Sequence, residues 1–147
     1  MELPYIYVIG SLRSDRPAQV ANELRDQGYR VFDDWHAQGT DADAHWERYE
    51  RRRGNNYREA LNGKAANHAF AFDYNHLLMC SAAVLVMPAG KSGHLELGWC
   101  LGRGKPGFIL LNGEPDRFEL MVKLATAVCY DVDELVAELQ KAGLWPK

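Results

Sequence analysis

Val84-Leu85-Val86-Met87-Pro88-Ala89-Gly90-Lys91-Ser92-Gly93-His94-Leu95-Glu96-Leu97-Gly98-Trp99 is the stretch whose pattern decides the fold. The apolar run Ala83 to Met87 has strand length and predicts a strand buried on both faces. Pro, Gly and Ser residues then break it as a loop. A helix follows over Gly93 to Leu101, closed by Gly102 and Gly104. A strand, a glycine-containing loop and a helix in that order put the loop at the carboxyl edge of a parallel sheet, where such sheets bind ligands. Glu96 is expected in the first turn of the helix, where the dipole favours an ionised carboxylate. Read locally, it either complements its helix terminus or is a carboxylate held in a cleft for chemistry, and the stretch alone leaves both open.

Working outward, Tyr5 to Ile9 is a second continuous apolar run, ending at Gly10-Ser11, and predicts a central strand. Asp15 before Pro17 marks a helix start, Val20, Ala21 and Leu24 its inward face, and Gly28 its end. Tyr29 to Phe32 completes a first β-α-β unit. Asp33 to Asn56 breaks the rhythm with a polar and aromatic stretch that includes Trp35, Trp46 and the run Arg51-Arg52-Arg53. A long excursion of this kind reads as a lid or binding loop, or as a surface helix anchored by a Trp. Glu47 and Arg51 have the i,i+4 spacing of a solvated helix.

Tyr57 to Cys80 is expected to be helical for most of its length, with Phe70, Asp73, Tyr74 and Leu77 on one face. Gly107 to Leu111 predicts a fourth strand, Arg117 to Ala125 a helix, and Val128-Cys129 a short fifth strand. The last helix opens on the capping sequence Asp131-Val132-Asp133-Glu134 and carries a Val132, Leu135, Val136, Leu139 stripe that reads as core. The alternation predicts a single α/β domain over 1–147, three-layered and doubly wound, with a five-stranded parallel sheet of order 2-1-3-4-5. That order brings the Gly10 loop and the Pro88–Glu96 loop to one crevice, at the topological switch point.

The 147 residues carry a net charge of -3, with 47% hydrophobic and 25% charged residues. This balance gives no support to a nucleic-acid polymer or a membrane surface as partner. Apolar runs are strand-sized, so no membrane-spanning helix is expected, and Met1-Glu2-Leu3-Pro4 does not read as a signal peptide. The three cysteines, Cys80, Cys100 and Cys129, have no paired spacing and read as buried thiols of a cytoplasmic protein. His36, His45, His68, His76 and His94 show no metal-ligand spacing with them, and no metal or other cofactor is implied.

Three features converge on the crevice. Gly10-Ser11-Leu12-Arg13 offers close backbone approach, a hydroxyl and a cation for an anion, without a full P-loop or dinucleotide fingerprint. Asp73 lies among Phe70-Ala71-Phe72 and Leu77-Leu78, and a carboxylate on an apolar face is either paired there or functional. Glu96 is the third. His94 neighbours it and reads either as a ligand contact or as an ordinary helix-terminus histidine.

YIYVIGSLRS (5–14), AFDYNHLLMCSAAVLVMPAG (71–90) and SGHLELGWCLGRGKPGFILL (92–111) together resemble the nucleoside 2-deoxyribosyltransferase superfamily, which includes deoxynucleoside 5′-monophosphate N-glycosidases. The resemblance implies a flavodoxin-like fold and cleavage of the N-glycosidic bond of a nucleoside or nucleoside 5′-monophosphate, by hydrolysis or base exchange. It assigns Glu96 as the nucleophile at C1′, Asp73 to proton transfer or positioning, and Tyr7 to orienting the nucleophile. Gly10, Ser11 and Arg13 would cradle the sugar and 5′-phosphate. The sequence departs from the family pattern at Ser81, where an Asp is common before the third strand. It departs again at Gly90, where a Ser or Asp commonly stands six residues before the nucleophile. Here Lys91 and Ser92 supply the polar groups of that loop, so Gly90, Lys91 and Ser92 join the expected binding residues. Trp35 and Trp46 are candidates to stack on a base. The family also implies a homo-oligomer.

Rival readings rest on the same residues. Pro88 to Glu96 resembles the P-G-G-x-G-T-x-x-E motif of nucleotide 5′-monophosphate phosphoribohydrolases, with Ser92-Gly93 in place of Gly-Thr. A glutamate nucleophile in this fold also suits an NAD-cleaving glycohydrolase. The changes at Ser81 and Gly90 suit a non-catalytic nucleotide-binding or sensor domain.

Overall fold

Side-chain alternation along the strands decides which groups meet at the site. The computed structural model describes residues 2–147. Strands β1 (Tyr5–Ile9), β2 (Arg30–Phe32), β3 (Ala82–Val86), β4 (Gly107–Leu110) and β5 (Ala127–Cys129) form one sheet of order β2-β1-β3-β4-β5. All of its pairings are parallel, with Tyr7 opposite Phe32 on one side and Ala83 on the other. This is the doubly wound three-layer fold the sequence predicts.

One sheet face buries Ile6, Val8, Val84, Phe108 and Leu110 against α1 (Arg16–Asp26) and α6 (Val132–Lys141). The other buries Tyr7, Ile9, Ala83, Leu85 and Ile109 against Leu77 of α4 (Lys64–Met79) and Leu97 and Cys100 of α5 (Lys91–Gly102). A shift of one residue in register would send every side chain to the wrong layer. Tyr7 therefore belongs to the face that α4 and α5 cover. The α6 stripe is core as expected, with Leu135 and Leu139 buried. Asp131 caps the helix by accepting from Glu134 N at 2.8 Å, while Glu134 reaches back to Tyr130 N at 3.1 Å.

The structure revises two of these elements and bears out one reading of the excursion. The helix expected over Tyr57 to Cys80 is two, α3 (Tyr57–Leu61) and α4, broken at Asn62-Gly63. Asn56 starts α3 with a reciprocal capping box to Glu59, and Gly63 starts α4 afresh. The helix expected over Arg117 to Ala125 is one 3-10 turn, Leu120–Leu124, which buries none of its residues and so lacks a face to hold a longer helix. The excursion is itself structured, as a 3-10 turn over Asp34–Gln38 and helix α2 (Ala42–Arg52). Its expected Glu47–Arg51 pair forms at 2.8 Å, and Trp35 pins it to the sheet by donating from Nε1 to Val8 O at 2.7 Å. Among the described residues no helix is long and apolar enough to cross a membrane.

Two devices fix the carboxyl edge. Arg16, at the start of α1, donates to Met87 O and, at 3.2 Å, to Leu111 O, tying the chain beyond β3 to that beyond β4. Gly93, in the first turn of α5, rests on the sheet so closely that a Cβ would lie 3.0 Å from Ile9 Cγ2 and 3.2 Å from Leu85 Cδ1. Gly93→Val is therefore expected to cost about 2 kcal/mol through overpacking, read as a lower urea midpoint at unchanged slope.

Candidate active site

The first strand, α4 and α5 each deliver one acidic group to the same place. Tyr7 is 1% exposed, and its hydroxyl donates to Glu96 Oε2 at 2.9 Å. Asp73 comes from α4, and its Oδ1 is buried with no hydrogen-bond partner. Among the described residues neither carboxylate has a cation within ion-pair distance.

Glu96 is not in the first turn of its helix, as expected from sequence, because α5 begins at Lys91 rather than Gly93. The dipole acts mainly within that first turn, and at Glu96 burial prevails. Burial pushes the Glu96 carboxyl up to about 7, the Tyr7 hydroxyl opposes the rise, and the charge of Asp73 adds to it. Asp73 is raised by burial and lowered by His76. The Tyr7 hydroxyl is raised by burial first and then by the two carboxylates.

These groups line a cleft of about 1080 Å³ at the switch point. Gly10, Ser11 and Arg13 border it from the β1 side, and Gly90, Lys91 and Ser92 from the β3 side. A Cβ on Gly10 would meet Pro17 Cγ at 2.4 Å, so helix packing as well as the cleft demands glycine there. Ser11 Oγ accepts from Arg13 N at 3.1 Å and shapes the loop. No side chain caps the start of α5, whose first-turn N–H groups sit at Gly90–Gly93. Trp35 also lines the cleft but is 8% exposed, its indole nitrogen already engaged by Val8 O. His94 is exposed and outside the lining, its Nδ1 donating to Gly90 O at 2.7 Å in the first turn of α5.

The structure adds a wall of which sequence reasoning singled out only Trp46. His45, Trp46 and Tyr49 of α2 line the cleft, with Phe70 of α4. Phe70 was recoverable from its spacing, since it lies one turn before Asp73 and stacks on Tyr74 at 5.2 Å and 14°.

The helices that carry the two carboxylates are braced together at their far ends. Lys105 Nζ donates to Leu77 O at 2.9 Å, Leu78 O at 2.6 Å and Cys80 O at 2.9 Å, closing α4. Tyr74 packs edge-on against Trp99 at 5.5 Å, and Cys80 of the α4 end and Cys100 of α5 lie in the same buried cluster. All three cysteines are free and buried, as expected. Among the described residues no group of acidic, His or Cys side chains is arranged to hold a metal.

The folded state holds a proton on Glu96 more tightly than the unfolded chain does, since its carboxyl lies near 7 against an ordinary 4.5. Stability is then present below pH 4.5 and lost as pH rises through 7. Glu96→Gln is accordingly expected to match the wild type in thermal unfolding at pH 4. At pH 8 it should exceed the wild type by about 2–3 kcal/mol.

No family model matches this chain, and no curated protein does. Among solved structures the chain is similar to the CMP N-glycosidase BcmB of Clostridium botulinum, at 14% identity and a TM-score of 0.49, over 95% of this chain and 99% of that one.

Proposed function

We propose that the protein cleaves the N-glycosidic bond of a nucleoside or nucleoside 5′-monophosphate through a glutamyl-glycosyl ester on Glu96. The observation that carries this reading is the pair of half-buried carboxylates in one cleft, only one of which receives a hydroxyl donor. Glu96 Oε2 accepts from Tyr7 at 2.9 Å, which fixes the carboxylate in one orientation and favours its charged form. In that form it attacks C1′ from the face opposite the base, and its charge stabilises the oxocarbenium-like transition state. Asp73 has no donor, and burial favours its protonated form, so it gives the departing base nitrogen its proton. Water on the ester then completes hydrolysis, and a second base completes exchange. Arg13, Lys91 and the uncapped start of α5 favour an anion on the sugar 5′ side, which is why a nucleotide is preferred over a nucleoside. Homo-oligomer assembly belongs to the same reading, since Leu95, Met121 and Leu124 are 75%, 67% and 69% exposed.

Chromatography of a nucleoside and nucleotide panel, with and without a free acceptor base, tests the reaction. Base release is expected from the wild type and none from Glu96→Ala; retained release removes Glu96 from the nucleophile role. A 2′-fluoro nucleoside is expected to leave a mass adduct on Glu96. The rate should climb with pH through about 7, the value to which burial pushes Glu96. Tyr7→Phe, lacking the donor that favours the carboxylate, should move that limb to higher pH. Sedimentation equilibrium returning only the 16.6 kDa species would remove the oligomer.

A further inference from the structure

Glu50 is the only charged side chain buried among the described residues, at 5% exposure, and no cation pairs with it. Its carboxylate accepts from Trp46 Nε1 at 3.3 Å and from Asn55 Nδ2 at 3.0 Å. Its backbone oxygen accepts from Arg53 N at 3.1 Å and Asn55 N at 3.0 Å, where α2 ends. A Cβ on Gly63 would lie 3.5 Å from Glu50 Oε2, an ordinary contact distance, so the break between α3 and α4 passes beside the same carboxylate.

Burying a carboxylate without a cation is costly, and an apolar side chain of similar size would fill this space at no such cost. What an apolar side chain lacks is an acceptor for the Trp46 indole N–H. Trp46 lies one helical turn before Glu50 and lines the cleft, together with Tyr49 of α2 and Phe70 of α4. Tyr49 and Phe70 are 49% and 65% exposed, an unusual amount of aromatic surface to leave in a cleft. Tyr49 is held in turn by Arg53, whose Nη1 donates to its hydroxyl at 2.9 Å.

We infer that Glu50 is a positioning residue that fixes the Trp46 indole as one wall of an aromatic subsite, completed by Tyr49 and Phe70, for the heterocyclic base of the ligand. The inference rests on the reading of the cleft as a nucleoside or nucleotide site. A planar base stacks on a ring that is already held, so no ordering of the side chain is needed on binding.

Binding is measured calorimetrically in a Glu96→Gln background, which prevents turnover. The ligands are a panel of nucleoside 5′-monophosphates and ribose 5-phosphate, which has the sugar and phosphate but no base. Glu50→Ala and Trp46→Ala are each expected to weaken nucleotide binding about tenfold and to leave ribose 5-phosphate affinity within twofold. Glu50→Gln keeps the size and one acceptor and should lose about threefold, which gives the same comparison if Glu50→Ala does not fold. Equal weakening of both ligands marks Glu50 as a general structural residue and overturns the inference. Unchanged nucleotide affinity in both Glu50 variants also overturns it. Failure of every nucleotide to bind the Glu96→Gln parent instead removes the underlying reading of the cleft, and this inference with it.

Discussion

The hydrogen bond from Tyr7 to Glu96 is the contact on which the site depends, because among the described residues it is the only donor to either half-buried carboxylate. A carboxylate withdrawn from water loses solvation that a single hydroxyl only partly restores. That deficit is why Glu96 lies near 7 rather than in the ordinary range. The bond also spans 89 positions of sequence, so it forms only once β1 and α5 have both docked. The sheet must place Tyr7 on the α5 side, and α5 must present Glu96 at the correct height.

Each of those requirements has its own device. Parity along β1 sends Ile6 and Val8 to one layer and Tyr7 and Ile9 to the other. The missing Cβ at Gly93 lets α5 settle on Ile9 and Leu85, one turn before Glu96. Lys105 and the Tyr74–Trp99 contact then keep α4 beside α5, so Asp73 and Glu96 share one enclosure. None of these groups needs to touch a ligand. They set the spacing of those that line the cleft, where tenths of an ångström matter to charge-charge coupling.

The architecture was legible because its signals are local and strong. Continuous apolar runs gave β1, β3 and β4, and glycine-bounded helical patterns between strands required parallel crossovers. Asp73 and Glu96 were named from short patterns and Tyr7 from the resemblance alone, and the fold brings all three into one cleft. What the sequence misjudged depends on packing between distant segments. The charge state expected of Glu96 followed from a helix start placed two residues late and from a dipole argument blind to burial. The break at Asn62-Gly63 goes with Asn56 capping a helix of its own and Gly63 starting another, neither visible in the periodicity of Tyr57 to Cys80. Of the α2 wall only Trp46 stood out, because the polarity of its stretch also suits a solvated helix and does not separate His45 and Tyr49 from their outward neighbours.

The same asymmetry that orients Glu96 also divides labour between the two carboxyls. Both are pushed upward by burial, and the charge of Asp73 adds to the rise at Glu96. In such a pair the first proton leaves the member whose anion is better held. Tyr7 donates to Glu96, whereas Asp73 Oδ1 has no partner. Against the charge of Asp73, which opposes ionisation of Glu96, Tyr7 favours an anionic Glu96 and the bare Oδ1 a protonated Asp73. For glycosidic cleavage that is the productive arrangement: the anion faces the developing positive charge at C1′, and the acid retains a proton for the leaving base. One tyrosine hydroxyl, placed by strand parity, thus distinguishes two carboxyls that burial alone would leave alike.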